Sequence, residues 1–153
     1  MDIGFHVVNA LSPVADAFDT AKDTDIVDAG AGEGVLFIIH TGAAAGAATQ
    51  VVTVEASSTI GATAVATVPF VYRACVATDV WSDWTAAAKT GFTATMTAGD
   101  AMFQVYVDSA EIAEEGYQYV RLSTDETGNA VVGGVLALII NPRYSLQPSS
   151  VLD

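Results

Sequence analysis

Alternation of apolar and polar side chains with a period of two recurs along this chain and limits what it can fold into. In TQVVTVEAS (49–57), Val52 and Val54 lie on one side of an extended segment and polar residues lie on the other. Successive side chains of a strand point to opposite faces of a sheet, so this pattern indicates a half-buried strand. About eight segments are strand-like, either by alternation or as apolar β-branched runs: 4–8, 35–40, 49–57, 67–76, 91–97, 101–108, 117–124 and 130–140.

Helix signals are fewer. Residues 12–23, SPVADAFDTAKD, predict a helix with Ser12 as N-cap and Pro13 at the first helical position. Residues 108–116, DSAEIAEEG, predict a second, short helix that Asp108 or Ser109 caps and Gly116 ends. Many strands against one or two short helices predict an all-β fold, either an antiparallel β-sandwich or a jelly-roll-like barrel.

We expect a single β domain over residues 1–153, because the composition is even and a chain of 153 residues can bury a core. Residues 1–25 and 141–153 are candidate N-terminal and C-terminal arms. The N-terminus lacks the charged and apolar regions of a secretory signal. The most apolar run, 130–140, is shorter than the roughly 20 residues that span a bilayer, so we expect a buried strand there and no membrane contact.

The net charge of the chain indicates which classes of partner it can bind. The formal net charge is −13, and only five residues are Lys or Arg. Nucleic-acid affinity rests largely on basic side chains that release counterions from phosphates, so we predict no nucleic-acid partner. The single cysteine, Cys75, allows no internal disulfide and no thiolate zinc site. It lies in an apolar β-type run, where a buried, inert thiol is expected.

A glycine-rich stretch raises the possibility of a cofactor site. Asp28, Gly30, Gly32 and Gly34, with Glu55 after the next strand, resemble the first motif of S-adenosylmethionine-dependent methyltransferases. That motif requires a helix to begin at the last glycine, whereas the segment that follows is the strand-like VLFIIHTG. The favoured interpretation is a tight connection between two strands, with glycines that tolerate positive φ, and no cofactor is predicted.

No catalytic or metal-binding group stands out. Five aspartates crowd the first thirty residues without the order of a calcium-binding loop, so we expect a solvated acidic loop and no metal site. His6 and His40 each lie in an apolar run, and no nucleophile motif accompanies them, so no catalytic triad is assigned. The five aspartates are Asp16, Asp19, Asp23, Asp25 and Asp28.

Several large side chains are candidates for an interface. Trp81 and Trp84 stand among polar residues in a predicted loop, where such a pair either closes one end of a core or anchors an interface. The C-terminal tail carries Arg143 and Tyr144, which are residue types common at interfaces. Phe5 in the first strand completes the set of candidates.

The order of segments along the chain supports a family resemblance. It runs VLFIIHTG, VVTVEASST, PFVYRACVATDVWSDWTA, GFTAT, FQVYVDSAEIAEEGYQYVRLSTDE and NPRYS. Over residues 3–145 this order resembles the small head-decoration proteins of tailed bacteriophages, which stabilise the capsid. The resemblance implies a β-sandwich or jelly roll, often trimeric, that binds the major capsid protein on the outer surface of the virion after synthesis in the host cytoplasm.

The sequence therefore predicts a non-enzymatic viral structural protein. Two alternatives remain open at this point. The chain could be another virion component, of the tail, neck or fibre, or a carbohydrate-binding β module in which Trp81 and Trp84 form a sugar platform. The methyltransferase is a remote third alternative.

Overall fold

A computed structural model of the chain describes residues 4–18, 20–76, 79–96, 100–126 and 128–143, and the backbone of 151–152. These residues include one α-helix, α1 (Ser109–Glu114), and a 3-10 turn at Ala29–Ala31. They also include thirteen strands: β1 (Phe5–Val14), β2 (Lys22–Asp23), β3 (Ile26–Asp28), β4 (Gly34–Ala44), β5 (Thr49–Ser57), β6 (Ala66–Val68), β7 (Phe70–Cys75), β8 (Thr85–Ala87), β9 (Phe92–Thr95), β10 (Met102–Asp108), β11 (Tyr119–Thr124), β12 (Val131–Ile140) and β13 (Val151–Leu152).

The strands form two antiparallel sheets in a sandwich-like arrangement, so the all-β prediction is confirmed. Sheet A has six strands in the order β1-β12-β4-β10-β7-β8. Sheet B has seven strands, with the order β13-β3-β11-β5-β6 and with β2 on β11 and β9 on β5. Within the regions predicted as arms, β1 belongs to sheet A and β13 to sheet B, while residues 144–150 lie outside the described part.

The core lies between the two sheets and follows the predicted alternation. In sheet A, the inward side chains of β4 are Val35, Phe37 and Ile39, each with no exposed surface. In sheet B, Val52 and Val54 of β5 are equally buried. Alternate residues of each strand therefore meet between the sheets, which is the burial pattern of a sandwich.

The segment 67–76 was predicted as one strand, and the structure divides it between the sheets. Val68 on β6 pairs with Val54 of sheet B, whereas Phe70 on β7 pairs with Ala87 of sheet A. Pro69 lies between the two strands and has no N–H to donate to a ladder, which suits it to the corner where the chain changes sheets.

The two helix predictions have different outcomes. The helix at 108–116 is confirmed as α1: the Asp108 carboxylate accepts a 2.7 Å hydrogen bond from the Ala110 amide, and Gly116 follows with φ +86°. The helix at 12–23 is wrong, because residues 12–14 extend β1 and residues 15–18 form a turn. The turn buries Phe18 completely, and the Ala17 amide donates to the Val131 carbonyl. This tertiary contact outweighs the local capping signal.

Candidate interaction surface

The outer face of sheet A is apolar across three neighbouring strands. Residues directly opposite each other in an antiparallel pair share a face. Val7 on β1 lies opposite Leu138 on β12, which in turn lies opposite Leu36 on β4. In the next row, Leu136 on β12 lies opposite Ile38 on β4 and opposite the polar Asn9 on β1, so this row is apolar on two of the three strands. We define the apolar face as Phe5, Val7, Leu36, Ile38, Val132, Leu136, Leu138 and Ile140.

The apolar face is open to solvent in the single chain. Four of its side chains have large exposed fractions, namely Phe5 (43%), Val7 (51%), Val132 (42%) and Leu136 (45%). Among the described residues of β1, β12 and β4, no outward side chain is Lys, Arg, Asp or Glu. Contiguous exposed apolar surfaces are typical of sites that contact another protein, a membrane or a ligand.

The outer face of sheet B is different in chemistry. Arg121 on β11 lies opposite Glu55 on β5, and its guanidinium is 2.7 Å from the Glu55 carboxylate and 2.9 Å from that of Asp23. Thr53 and Ser123 lie opposite each other in the next row of the same face, and the Thr53 hydroxyl donates to the Ser123 carbonyl. Sheet B thus presents a hydrogen-bonded polar surface to water, whereas strands β1, β12 and β4 of sheet A present the apolar face.

Trp81 and Trp84 pack around an arginine on the outer side of sheet A. The Arg73 guanidinium carbon lies 4.8 Å from the ring centroid of Trp81 and 4.7 Å from that of Trp84, and Arg73 Nε donates to Gln104 Oε1 at 2.7 Å. Ser82, between the tryptophans, fixes this loop, because its amide donates to the Ala74 carbonyl and its hydroxyl accepts from the Ala74 amide. Each indole therefore makes a cation–π contact.

The predicted interface residues occupy different parts of the molecule. Phe5 belongs to the apolar face, opposite Ile140, and Trp84 is 46% exposed beside Arg73. Arg143 is exposed beyond the end of β12, where its amide donates to the Ala31 carbonyl. Tyr144 lies outside the described residues.

Sequence reasoning missed the other members of the apolar face, although a signal was present. Residues 131–140 read VVGGVLALII, a continuous apolar run where a strand with one wet face would alternate. Residues 35–39 of β4 are continuous in the same way. Such runs are typical of strands that are covered on both faces, and they mark the strands that carry the apolar face.

The glycines of the cofactor-like motif serve close packing. A Cβ on Gly32 would lie 2.5 Å from the Ile140 carbonyl oxygen, and a Cβ on Gly34 would lie 2.5 Å from the Tyr106 hydroxyl. Gly30, Gly32 and Gly34 all have φ outside the left-handed region, so the expectation that they tolerate positive φ is wrong. The physical reason is space: β12 and β10 approach this connection too closely for a side chain.

The rest of that motif is also placed otherwise than a cofactor would require. The segment after Gly34 is strand β4, so the strand–turn–helix arrangement does not form here. Glu55, at the position that would hold ribose hydroxyls, accepts from Arg121 Nε at 2.8 Å.

An acidic cleft lies beside α1. Its volume is about 660 Å³, and its walls include Tyr106, Asp108, Glu111 and Glu114 together with the corner at residues 68–71. Burial raises the pKa of Tyr106, and the negative charges of Asp108, Glu33 and Glu111 raise it further. In the part of the chain that the structure describes, no group of three or more His, Cys, Asp or Glu side chains could hold a metal ion.

The comparisons with known proteins identify no family. No protein-family model matches the chain, and no curated protein matches it. In the described residues, no helix is long and apolar enough to cross a membrane.

Proposed function

We propose that this chain is a non-enzymatic structural protein of a tailed bacteriophage, which decorates and stabilises the outer surface of the head shell. In this proposal its partner is the major capsid protein of the same virion, and the chain itself is a homotrimer. The single observation that carries the proposal is the apolar face of sheet A, an extended surface suited to a macromolecular contact.

The architecture supports such a role. Sheets that pack through a buried core form a rigid body, and a rigid body loses little conformational entropy on binding. A protein that binds a lattice in many copies also gains from multivalency, because contacts that are individually weak add together. An assembly of this kind needs complementary surfaces between its copies, and the outer face of sheet A offers one.

The charge supports the outside of the shell. A net charge of −13 repels the phosphates of packaged DNA, so a position facing the genome would be unfavourable. On the outer surface the same charge keeps free copies soluble before they assemble.

The test uses intact particles of the phage that encodes the chain. Antibodies raised against the purified protein should label the heads in immunogold electron microscopy, and particles that lack the gene serve as the control. Heads without the protein should lose DNA at a lower temperature than complete heads, and added purified protein should restore the difference. Label confined to the tail, neck or fibres would refute the decoration role, and so would the absence of the chain from purified particles.

A carbohydrate-binding module is the second candidate, and Trp84 is the observation that favours it. Its indole is 46% exposed and stands beside Trp81, although the guanidinium of Arg73 stacks on both rings. A glycan array probed with the full chain tests this candidate. Binding that Trp84→Ala and Trp81→Ala both abolish would support it, and no binding to any glycan would reject it.

A further inference from the structure

We infer that the apolar face of sheet A is covered by a second copy of this chain, so that the protein associates with itself through this face. The inference names the surface through which the proposed homotrimer associates. It rests on the proposed function for the role of that oligomer on the phage head.

The first argument is the mismatch between the sequence pattern of two strands and their burial in one chain. Strands β12 and β4 carry continuous apolar runs, and their inward residues pack in the core. Their outward residues have no cover: Leu136 is 45% exposed and Val132 is 42% exposed. Strands β5 and β11 of sheet B alternate instead and present polar groups outward. Of the two sheets, only sheet A therefore has described strands whose sequence is typical of burial on both faces.

The second argument is the kind of partner that an apolar surface fits. Interfaces that form and dissociate are about as polar as the rest of a protein surface, whereas homo-oligomer interfaces are more apolar and resemble a domain core cut in half. Val7, Leu136 and Leu138 are core-type side chains. A face composed of them is typical of permanent association between identical chains.

The third argument is area. With strands about 4.8 Å apart and about 3.4 Å per residue, the three strands of the apolar face and the length of 132–140 give a plane of roughly 440 Å² per copy. Two copies therefore cover about 880 Å² as flat planes, and side-chain relief adds to this figure. A biological interface should exceed about 1,000 Å² in total, so the face with its relief has the area of a small specific contact.

The fourth argument is charge. Each copy carries a net charge of −13, so a random encounter between two copies is repulsive. The described outward residues of β1, β12 and β4 include no acidic side chain, so contact through this face brings no like charges together inside the interface. The remaining repulsion comes from the surrounding surface and is screened by salt. Self-association should accordingly strengthen as the salt concentration rises.

The experiment measures the mass of the full-length chain in solution by light scattering coupled to gel filtration. The wild-type mass should exceed that of one 15.7 kDa chain, near 31 kDa for two copies that pack face to face and near 47 kDa for the proposed trimer. Leu136→Glu places a charge at the centre of the face and should reduce the mass to that of one copy. Ile60→Glu is the matched control, because Ile60 is 40% exposed in the loop after β5, away from the face, and it should leave the mass unchanged.

A second variant keeps the test decisive if Leu136→Glu fails to fold by circular dichroism. Val7→Lys lies in the same face on β1, where the side chain is 51% exposed, and it should also yield single copies. A wild-type chain that stays monomeric at high salt would overturn the inference, and so would an oligomer that persists in the folded face variants. A monomer that labels phage heads would refute self-association and leave the decoration role standing. An oligomer that the face variants dissociate, but that labels no particle, would refute the decoration role alone.

Discussion

Substitution of Gly32 by alanine separates a packing role of the glycine motif from a cofactor role. The added Cβ would lie 2.5 Å from the Ile140 carbonyl oxygen and 2.6 Å from Cγ2 of Ile139. Both contacts are about 1 Å shorter than an ordinary carbon contact. One partner is the backbone of Ile140, the last residue of β12, which is paired with a strand on each side, so relief requires that the end of β12 shifts. Overpacking of this kind costs about 1–3 kcal/mol.

A smaller effect opposes this cost. Gly32 has φ −144°, which alanine adopts without strain. The substitution therefore restricts the unfolded chain and raises the free energy of unfolding by about 0.4–1 kcal/mol. The net loss in the free energy of unfolding should be about 1–2 kcal/mol. For a domain of this size, 1 kcal/mol corresponds to about 2–4 °C, and Tm should therefore fall by about 2–8 °C.

The assay is thermal unfolding followed by circular dichroism, with Gly61→Ala as the control. A Cβ at Gly61 would have its nearest contact at 3.9 Å, with Thr63, so this variant should be at least as stable as the wild type, since it restricts the unfolded chain in the same way without a clash. The packing argument fails if Gly32→Ala matches the wild type in Tm. A cofactor role would show itself differently, as binding of S-adenosylmethionine that Gly32→Ala abolishes without a change in stability.

Three further predictions concern the neighbouring features. Arg73→Ala should shift the emission of the two tryptophans to longer wavelength and cost about 1 kcal/mol, because both indoles lose the guanidinium that stacks on them; an unchanged fluorescence spectrum would contradict the cation–π geometry. Asp108→Ala should lower the free energy of unfolding by about 1 kcal/mol in urea titrations, since the carboxylate caps α1, and equal midpoints would contradict this role. Because the pKa of Tyr106 is raised above its ordinary value of 10.0, the fold favours the neutral phenol, and this contribution is present below pH 10 and is lost as the pH rises through the folded-state pKa. Ultraviolet titration of the wild type and Tyr106→Phe should show that the variant loses an ionisation step above pH 10, and identical titration curves above pH 10 would contradict the raised pKa of Tyr106.

The strands of this fold could be predicted from the sequence where local pattern and tertiary environment agree. Val52 and Val54 alternate with polar residues, and the structure buries both. The chain could not be divided correctly at Pro69, because alternation continues through the corner while the partner strand changes from β5 to β8. The helix predicted after Ser12 is wrong for the same reason. Capping signals depend on neighbouring residues, whereas the burial of Phe18 depends on residues distant in sequence.

The candidate site was less accessible to sequence reasoning than the fold. Trp81 and Trp84 were selected for their size, but their shared partner Arg73 lies on a different element, and only the register of β7 against β10 brings Gln104 to its side. The glycines were noticed for a plausible reason, freedom at positive φ, and the actual reason is proximity to strands far away in sequence. A contact between residues distant in sequence cannot be predicted from the local sequence pattern of either segment alone.

The two sheets differ in the chemistry of their outer faces, and this difference supports the proposed self-association. Sheet B carries charged residues on its outer face in pairs such as Arg121 with Glu55, and these pairs keep that surface hydrated. Sheet A places Val7, Leu136 and their neighbours outward, with no described Lys, Arg, Asp or Glu among the outward residues of β1, β12 and β4. The high net charge opposes non-specific association over most of the molecule, and it does so least where the outward surface is uncharged. Charge and hydrophobicity therefore favour association through the same side of the sandwich. The negative charge opposes contacts through the rest of the surface, and the apolar side chains favour contact through the outer face of sheet A.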